Sequence, residues 1–258
     1  MRGRRRGQDV LVLCYHAVSE SWRDPLAVEP ARLRAQVAAL LRRGWRATTF
    51  AEAVTAPRHP RALAVTFDDA LRSVLLLGLP VLRELEVPAT VFVPTGFVEG
   101  GRPFAWPESE HWLDTEHAGE LDGMSWAELA ELREAGWEVG SHSVSHARLT
   151  ELGGERLRRE LRDSREAIER RVGPCRSIAY PYSDVDDRVA ASARAAGYEA
   201  GAAVLPVRHG GDRLRFPRVP VLATESALAH RLHVSRPVRR LQATRPWPAV
   251  QRAVSRST

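Results

Sequence analysis

The sequence predicts an α/β fold with a parallel sheet, open or closed into a barrel. Two observations carry the expectation. Short apolar runs alternate with helical segments along most of the chain, and the polar motifs cluster immediately after the apolar runs. The 258 residues, 44% of them hydrophobic, are enough to bury a sizeable core as one large domain or two small ones. Residues 10–14 form the first apolar run. A helix is expected from about Pro30, where Leu33, Val37, Leu40 and Leu41 recur at helical spacing and Gly44 supplies a stop. Residues 62–67 read as a buried strand, 71–85 as an apolar helix interrupted near Pro80, and 89–93 as the next strand. Residues 96–123 lack periodicity and read as a surface loop over a site. Ser125 and Glu128 make a capping box, which opens a helix that Gly136 ends. Strand 137–140, a charged helix over 155–171, strand 176–180, a helix over 186–196 and a strand near 200–205 complete the alternation. The expected boundaries are a basic N-terminal tail at 1–8, one domain at 9–234 and a basic, proline-containing tail at 235–258.

The net charge of +6 is unevenly placed. Residues 1–8 hold four arginines, residues 226–258 hold seven more, and neither segment contains an acid. Setting those eleven charges aside leaves −5 for residues 9–225. A nucleic-acid protein would carry its basic stripe on a folded face, so no nucleic-acid partner is expected. The basic ends read as solvated tails, with weak contact to anionic lipid or polymer as the minor reading. All 38 basic residues are arginine, which reads as genomic base composition. Two cysteines, Cys14 and Cys175, exclude a disulfide framework and a Cys₄ zinc module. They read as buried thiols, with a single bridge left open. No stretch reaches the roughly 18 apolar residues that span a membrane. The apolar run after the basic start is too short for a signal peptide, so a cytoplasmic protein is expected, with peripheral membrane association left open.

Four motifs could carry chemistry. In Thr66-Phe67-Asp68-Asp69-Ala70 an apolar strand runs into two carboxylates at its C-terminal end, where α/β folds place their sites. One carboxylate could bind a cation while its neighbour faces substrate; a helix N-cap pair is the structural alternative. In Ser141-His142-Ser143-Val144-Ser145-His146 two imidazoles four residues apart can reach one metal. Two imidazoles and a carboxylate suit a catalytic divalent ion with positions left for water and substrate. Otherwise they are two surface histidines. Tyr180-Pro181-Tyr182 ends a strand, and Tyr15-His16 ends the first one. All four motifs would lie on one rim of a sheet or barrel.

In that order, the motifs resemble the polysaccharide deacetylase family, the NodB-homology domain of carbohydrate esterase family four. The resemblance runs from Val10 to about Leu232. It is carried by Tyr15-His16-Ala-Val, Ala64-Val65-Thr66-Phe67-Asp68-Asp69, Pro88-Ala89-Thr90-Val91-Phe92-Val93, Trp126, Gly140 to His146, Arg170-Arg171-Val172-Gly173 and Ala179-Tyr180-Pro181-Tyr182. It implies a distorted (β/α) barrel, one divalent metal that is usually zinc, and removal of N-acetyl groups from an amino sugar. It also implies that Asp68 is the base, that Asp69, His142 and His146 are metal ligands, and that Pro181 and Tyr182 meet the substrate. The Tyr182 N–H would face the oxyanion. Three departures stand out. Ala70 replaces a glycine, Ala179 replaces an arginine that orients the base in many members, and the late Leu-x-x-His segment has no match. The pattern is similar to the subgroup of biofilm poly-N-acetylglucosamine deacetylases. That similarity makes His16 the acid and Arg218, in Phe216-Pro-Arg218-Val-Pro, the replacement orienter. A metal-dependent hydrolase of small amides or esters and an inactive carbohydrate-binding homologue are the alternatives.

Overall fold

In the computed structural model, which describes residues 8–98, 103–106, 109–204 and 211–242, seven parallel strands close into a barrel with helices around it. In chain order the elements are β1 (Asp9–Tyr15), the short pair β2 (Ala17–Val18) and β3 (Ala27–Val28), α1 (Pro30–Arg42), β4 (Arg46–Ala47), α2 (Phe50–Thr55) and β5 (Arg61–Phe67). There follow α3 (Leu79–Glu84), β6 (Ala89–Val93), α4 (Trp126–Glu134), β7 (Glu138–Ser141), α5 (Gly154–Arg171), β8 (Ser177–Ala179) and α6 (Asp187–Ala195). The last are β9 (Ala200–Val204), β10 (Phe216–Pro220), α7 (Ala227–His233) and α8 (Arg236–Gln242). Around the barrel the order is β1, β5, β6, β7, β8, β9, β10 and back to β1, with β4 on the first half of β5.

Successive strand residues point to opposite faces, and that period of two sorts the chain into two cores. Leu11, Leu13 and Tyr15 of β1 join Leu63, Val65 and Phe67 of β5 in the outer core beneath the helices. Val10, Val12, Ala62, Ala64, Ala179, Ala200 and Ala202 turn inward, where Phe50, Phe92 and Phe216 fill the lumen with rings 5.6 and 6.3 Å apart. Small inward side chains leave room for those rings. The inward parity then continues up each strand to Cys14, Thr66, Gly140 and Arg218. It delivers polar groups to the rim where the apolar filling stops.

The helices follow the expected signals. On α1, Leu33, Val37 and Leu40 are buried at helical spacing. Ser125 and Glu128 form the reciprocal capping box of α4. The expected apolar helix over 71–85 is split. Residues Val74–Gly78 form a π-turn before α3 begins at Leu79, because Pro80 has no N–H to bond back into the preceding turn. The C-terminal tail expected from residue 235 needs correction, since Arg236–Gln242 is α8. Arg239 there bonds both carboxylate oxygens of Asp9 at 2.9 and 3.0 Å and lies over Trp45, which ties the helix to the start of β1. Residues 1–7 and 243–258 of the expected tails lie outside the described residues. Strand β10 escaped the sequence reading because Pro217 and Pro220 argue against an interior strand. Both cysteines are free and buried. No described helix is long and apolar enough to cross a membrane.

Gly140 marks how tightly the lumen closes. A Cβ there would stand 2.6 Å from the Phe92 ring and 2.7 Å from Ser177 Oγ. Gly140→Ala should therefore cost about 1–3 kcal/mol, read as a shifted urea midpoint at constant slope. An unchanged midpoint would show that the lumen has slack.

Candidate active site

The strands end in a cleft of about 300 Å³ lined by His16, Asp68, Asp69, Trp106, His142, His146, Tyr180 and Tyr182, among others. Asp68 follows β5 on its inward face and is buried. The next two residues turn the chain sharply, with φ of 69° at Asp69 and 51° at Ala70. Position 70 thus sits in the left-handed region, where glycine is favoured and alanine is tolerated at a cost on the order of 1 kcal/mol. The turn swings the Asp69 carboxylate toward the histidines instead of out of the barrel.

His142 continues the inward face of β7. Its Nδ1 lies 2.8 Å from the Ala179 carbonyl, an acceptor that requires Nδ1–H and leaves the Nε2 lone pair facing the cleft. The turn to His146 is held by Glu160 of α5. Its carboxylate accepts the N–H groups of Val144 and Ser145, both at 2.9 Å, and the Ser145 hydroxyl at 2.6 Å. Ser143 and His146 both adopt positive φ in this turn, and the His146 N–H donates to Ser143 Oγ at 3.1 Å.

Asp69 Oδ1 stands 3.4 Å from His142 Nε2 and 3.5 Å from His146 Nε2. Donors about 2.1 Å from one tetrahedral ion stand about 3.4 Å apart, so the spacing fits a shared cation. Asp69 Oδ1 is buried and, among the described residues, no donor meets it with hydrogen-bond geometry. When His142 is neutral its Nε2 presents a lone pair to that oxygen and acceptor faces acceptor, an arrangement resolved by a proton on Nε2 or by a shared cation. Burial pushes His146 down to about 4, with His142 adding to the shift, so its imidazole is neutral at pH 7 as a ligand must be. Burial also lowers the pKa of His142, but Asp68 and Asp69 outweigh it and hold that pKa above its ordinary value.

Asp68 has a different environment. Arg218, wholly buried on β10, grips it with two bonds, Nη1 to Oδ1 at 2.6 Å and Nη2 to Oδ2 at 2.7 Å. Nη1 also donates to Thr66 Oγ1 at 3.1 Å, and Cys14 Sγ lies 3.5 Å from Asp68 Oδ2. Burial alone would raise the Asp68 pKa. Arg218, then His142 and His16, reverse that and hold the carboxyl well below the usual range. His16 is half-buried on the cleft wall, and its Nδ1 has no partner among the described residues. Tyr182 has φ 57°, its ring centroid is 4.8 Å from that of His146, and the Arg148 guanidinium carbon lies over the Tyr182 ring, 4.1 Å from its centroid. Pro181 is buried in the same turn.

All the residues singled out by sequence therefore meet at one rim, although Pro181 supports the wall from behind. His230 and His233, in Leu228-Ala-His230 and Leu232-His233 whose spacing departs from Leu-x-x-His, do not join them; both face the Glu225 carboxylate beside α7. Cys14 and Trp106 were missed. Trp106 lies in the aperiodic 96–123 loop, which was the available signal, and packs near His146 with ring centroids 6.1 Å apart. A larger cleft of about 800 Å³ at the opposite end of the barrel is lined by Arg43, Arg61, Arg231 and Arg236, with Asp9 as its one acid. It lacks this paired acid and imidazole chemistry.

Fold and rim together define a hydrolase of the β/α-barrel class. The sequence profile described as polysaccharide deacetylase matches residues 55–201, more than half the chain, and the protein belongs to that family. Asp68, Asp69, His142 and His146 lie inside the matched stretch, while His16 and Arg218 lie outside it. Among solved structures, the chain is similar to BC0361, a polysaccharide deacetylase from Bacillus cereus (25% identity, TM-score 0.70, covering 88% of this chain and 69% of that one). It is similar to IcaB from Ammonifex degensii at 25% identity and TM-score 0.70, over 88% of this chain and 96% of that one. The Streptococcus pyogenes deacetylase PplD shares the fold at 20% identity and TM-score 0.71, over 92% of this chain and 98% of that one. No curated protein matches the sequence.

The Asp68–Arg218 pair has a pH signature. A carboxyl whose folded pKa lies below its unfolded value of about 4 adds stability above that pH and loses it as pH falls through the folded pKa. Arg218→Leu leaves Asp68 with burial and no strong partner, so its charge becomes costly near neutrality. The variant should lose about 3–5 kcal/mol at pH 7 and distinctly less near pH 3. Equal losses at both values, measured by chemical denaturation, would remove Asp68 ionisation as the cause.

Proposed function

We propose that this chain removes N-acetyl groups from an amino sugar within a glycan or glycan precursor, releasing acetate. The observation that carries the reading is the division of labour between adjacent carboxylates. Asp69 faces two imidazoles at ligand spacing, while Asp68 is held apart by Arg218. Asp69, His142 and His146 would hold one divalent ion, with zinc favoured by a donor set of two imidazoles and a carboxylate. When bound, the ion supplies Lewis acidity, polarising the acetyl carbonyl and lowering the pKa of water in the cleft.

The protein's own groups do the rest. Arg218 keeps Asp68 ionised and fixes its oxygens, so that Asp68 receives the proton of the attacking water. As the carbonyl becomes tetrahedral, the main-chain N–H of Tyr182 donates to its oxygen. Expulsion of an amide anion would be prohibitive, so nitrogen must be protonated as the C–N bond breaks. His16, which lines the cleft beside Asp68, donates that proton. Acetate and a free amino sugar leave the cleft. Tyr182 and Trp106, which line the cleft, would contact the sugar, with Pro181 fixing the turn behind Tyr182.

Acetate release across N-acetylglucosamine oligomers and small acyl amides, with and without chelator, tests the whole reading. Turnover of the oligomers that chelation abolishes is expected; turnover of small amides alone would reassign the substrate.

The separate roles have separate outcomes. His142→Ala should lower bound metal per chain to near zero by elemental analysis, and an unchanged metal content would reject the ligand set. Asp68→Asn should keep the metal and lose about 10²-fold or more in turnover. Loss of metal as well would make both carboxylates ligands.

His16→Ala should keep metal and fold while losing at least about tenfold in turnover. Wild-type turnover in that variant would place the acid elsewhere.

A further inference from the structure

We propose that Cys14, His16 and Asp68 form a second cation site, for a thiophilic divalent ion such as zinc or cadmium, and that filling it stops the reaction. The Cys14 sulfur, an imidazole nitrogen of His16 and a carboxylate oxygen of Asp68 all lie within 4.8 Å of one another. The Cys14 thiol donates to Asp68 Oδ2 with a sulfur–oxygen separation of 3.5 Å, and an ion would take the place of that proton. A tetrahedral ion with arms of about 2.3 Å to sulfur and 2.1 Å to oxygen requires about 3.6 Å. His16 Nδ1 is buried and has no hydrogen-bond partner among the described residues. None of these three donors belongs to the Asp69, His142 and His146 set.

The ion has a route in. His16 and Asp68 line the cleft, and Cys14 lies wholly buried beneath them as a free thiol. Binding breaks the S–H bond. The proton goes to solvent, the sulfur keeps the electron pair and donates it to the ion, and no redox partner is needed. Thiolate and imidazole favour soft or borderline ions over magnesium or calcium. Arg218, bonded to Asp68 at 2.6 and 2.7 Å, repels a cation there, so this site fills after the Asp69 site. Once filled, the ion neutralises the Asp68 charge that would draw the water proton, and His16, neutral as a ligand must be, no longer serves as the protonated acid. The arrest rests on the roles proposed above for Asp68 and His16, whereas the site itself does not.

The experiment titrates the metal-free full chain with cobalt(II) and follows absorbance together with acetate release. Wild type should take up two equivalents. Sulfur-to-cobalt charge-transfer absorption in the near ultraviolet should appear only with the second, as turnover falls by about tenfold or more. Cys14→Ser should take up one equivalent without the band, and its turnover relative to its own starting rate should not fall at excess metal. Cys175→Ser should behave as wild type, and His142→Ala should keep the band. Uptake of a single equivalent by wild type, or a band that survives Cys14→Ser, overturns the site. A band that grows in while turnover stays constant overturns the arrest. If Cys14→Ser does not fold, zinc-edge X-ray absorption on wild type at two equivalents decides, with sulfur at about 2.3 Å required and a nitrogen and oxygen shell alone overturning the proposal. Should no glycan be deacetylated under any condition, the functional reading fails while the cobalt band still reports on the site.

Discussion

The buried ion pair between Asp68 and Arg218 sets terms that the rest of the barrel has to meet. Two charges out of water are tolerable only when each satisfies the other with good geometry, and here two short parallel bonds do so. The partners are 150 positions apart in sequence, so the pair exists only if β10 closes the barrel against β1. Closure in turn requires a lumen narrow enough for seven strands, which the inward alanines and three phenylalanine rings provide. The guanidinium lies over Phe92, 5.4 Å from its ring centroid, at the boundary between the apolar filling and the polar rim. Catalytic charge and barrel closure are one problem in this molecule.

A second constraint is the inequality of two adjacent carboxylates. On a continuing strand, Asp68 and Asp69 would point to opposite faces. The left-handed turn at Asp69 and Ala70 brings both into the cleft while giving them different neighbours. One meets a fixed guanidinium and the other meets two imidazoles. Electrostatics then separates them further, because, against the rise from burial, Arg218 holds Asp68 ionised whereas the Asp69 carboxyl is lowered by His142 and His146 alongside. The Glu160 carboxylate performs the matching task for the histidine turn, fixing two main-chain N–H groups that a surface loop would leave to water.

The sequence departures noted at Ala179 and Ala70 find physical counterparts. An arginine from position 179 would enter the lumen on β8, but that inward place holds a methyl group, and the guanidinium arrives instead from β10. Phe216, Pro217 and Pro220 surround Arg218 with residues that obscure its strand, although Phe216 and Arg218 share the inward parity. A proline is acceptable there because this strand pairs over only a few residues on each side.

By itself, the sequence determined the alternation of strands and helices, the strand-end placement of the Asp-Asp and His-x-x-x-His motifs, and the capping box at Ser125 and Glu128. These are local properties: a period of two, a period of 3.6, and side chains that satisfy the nearest N–H groups. The spacing of His142 and His146 made a shared partner legible before any fold was known. Tertiary structure decided which partner each group received. Barrel closure joined Arg218 to Asp68, packing of α5 supplied Glu160 to the histidine turn, and parity on β1 set Cys14 against Asp68. It also turned part of the expected tail into α8, through the bonds from Arg239 to Asp9. Each of these contacts joins residues far apart in sequence, and no local period or propensity encodes a distance across a barrel.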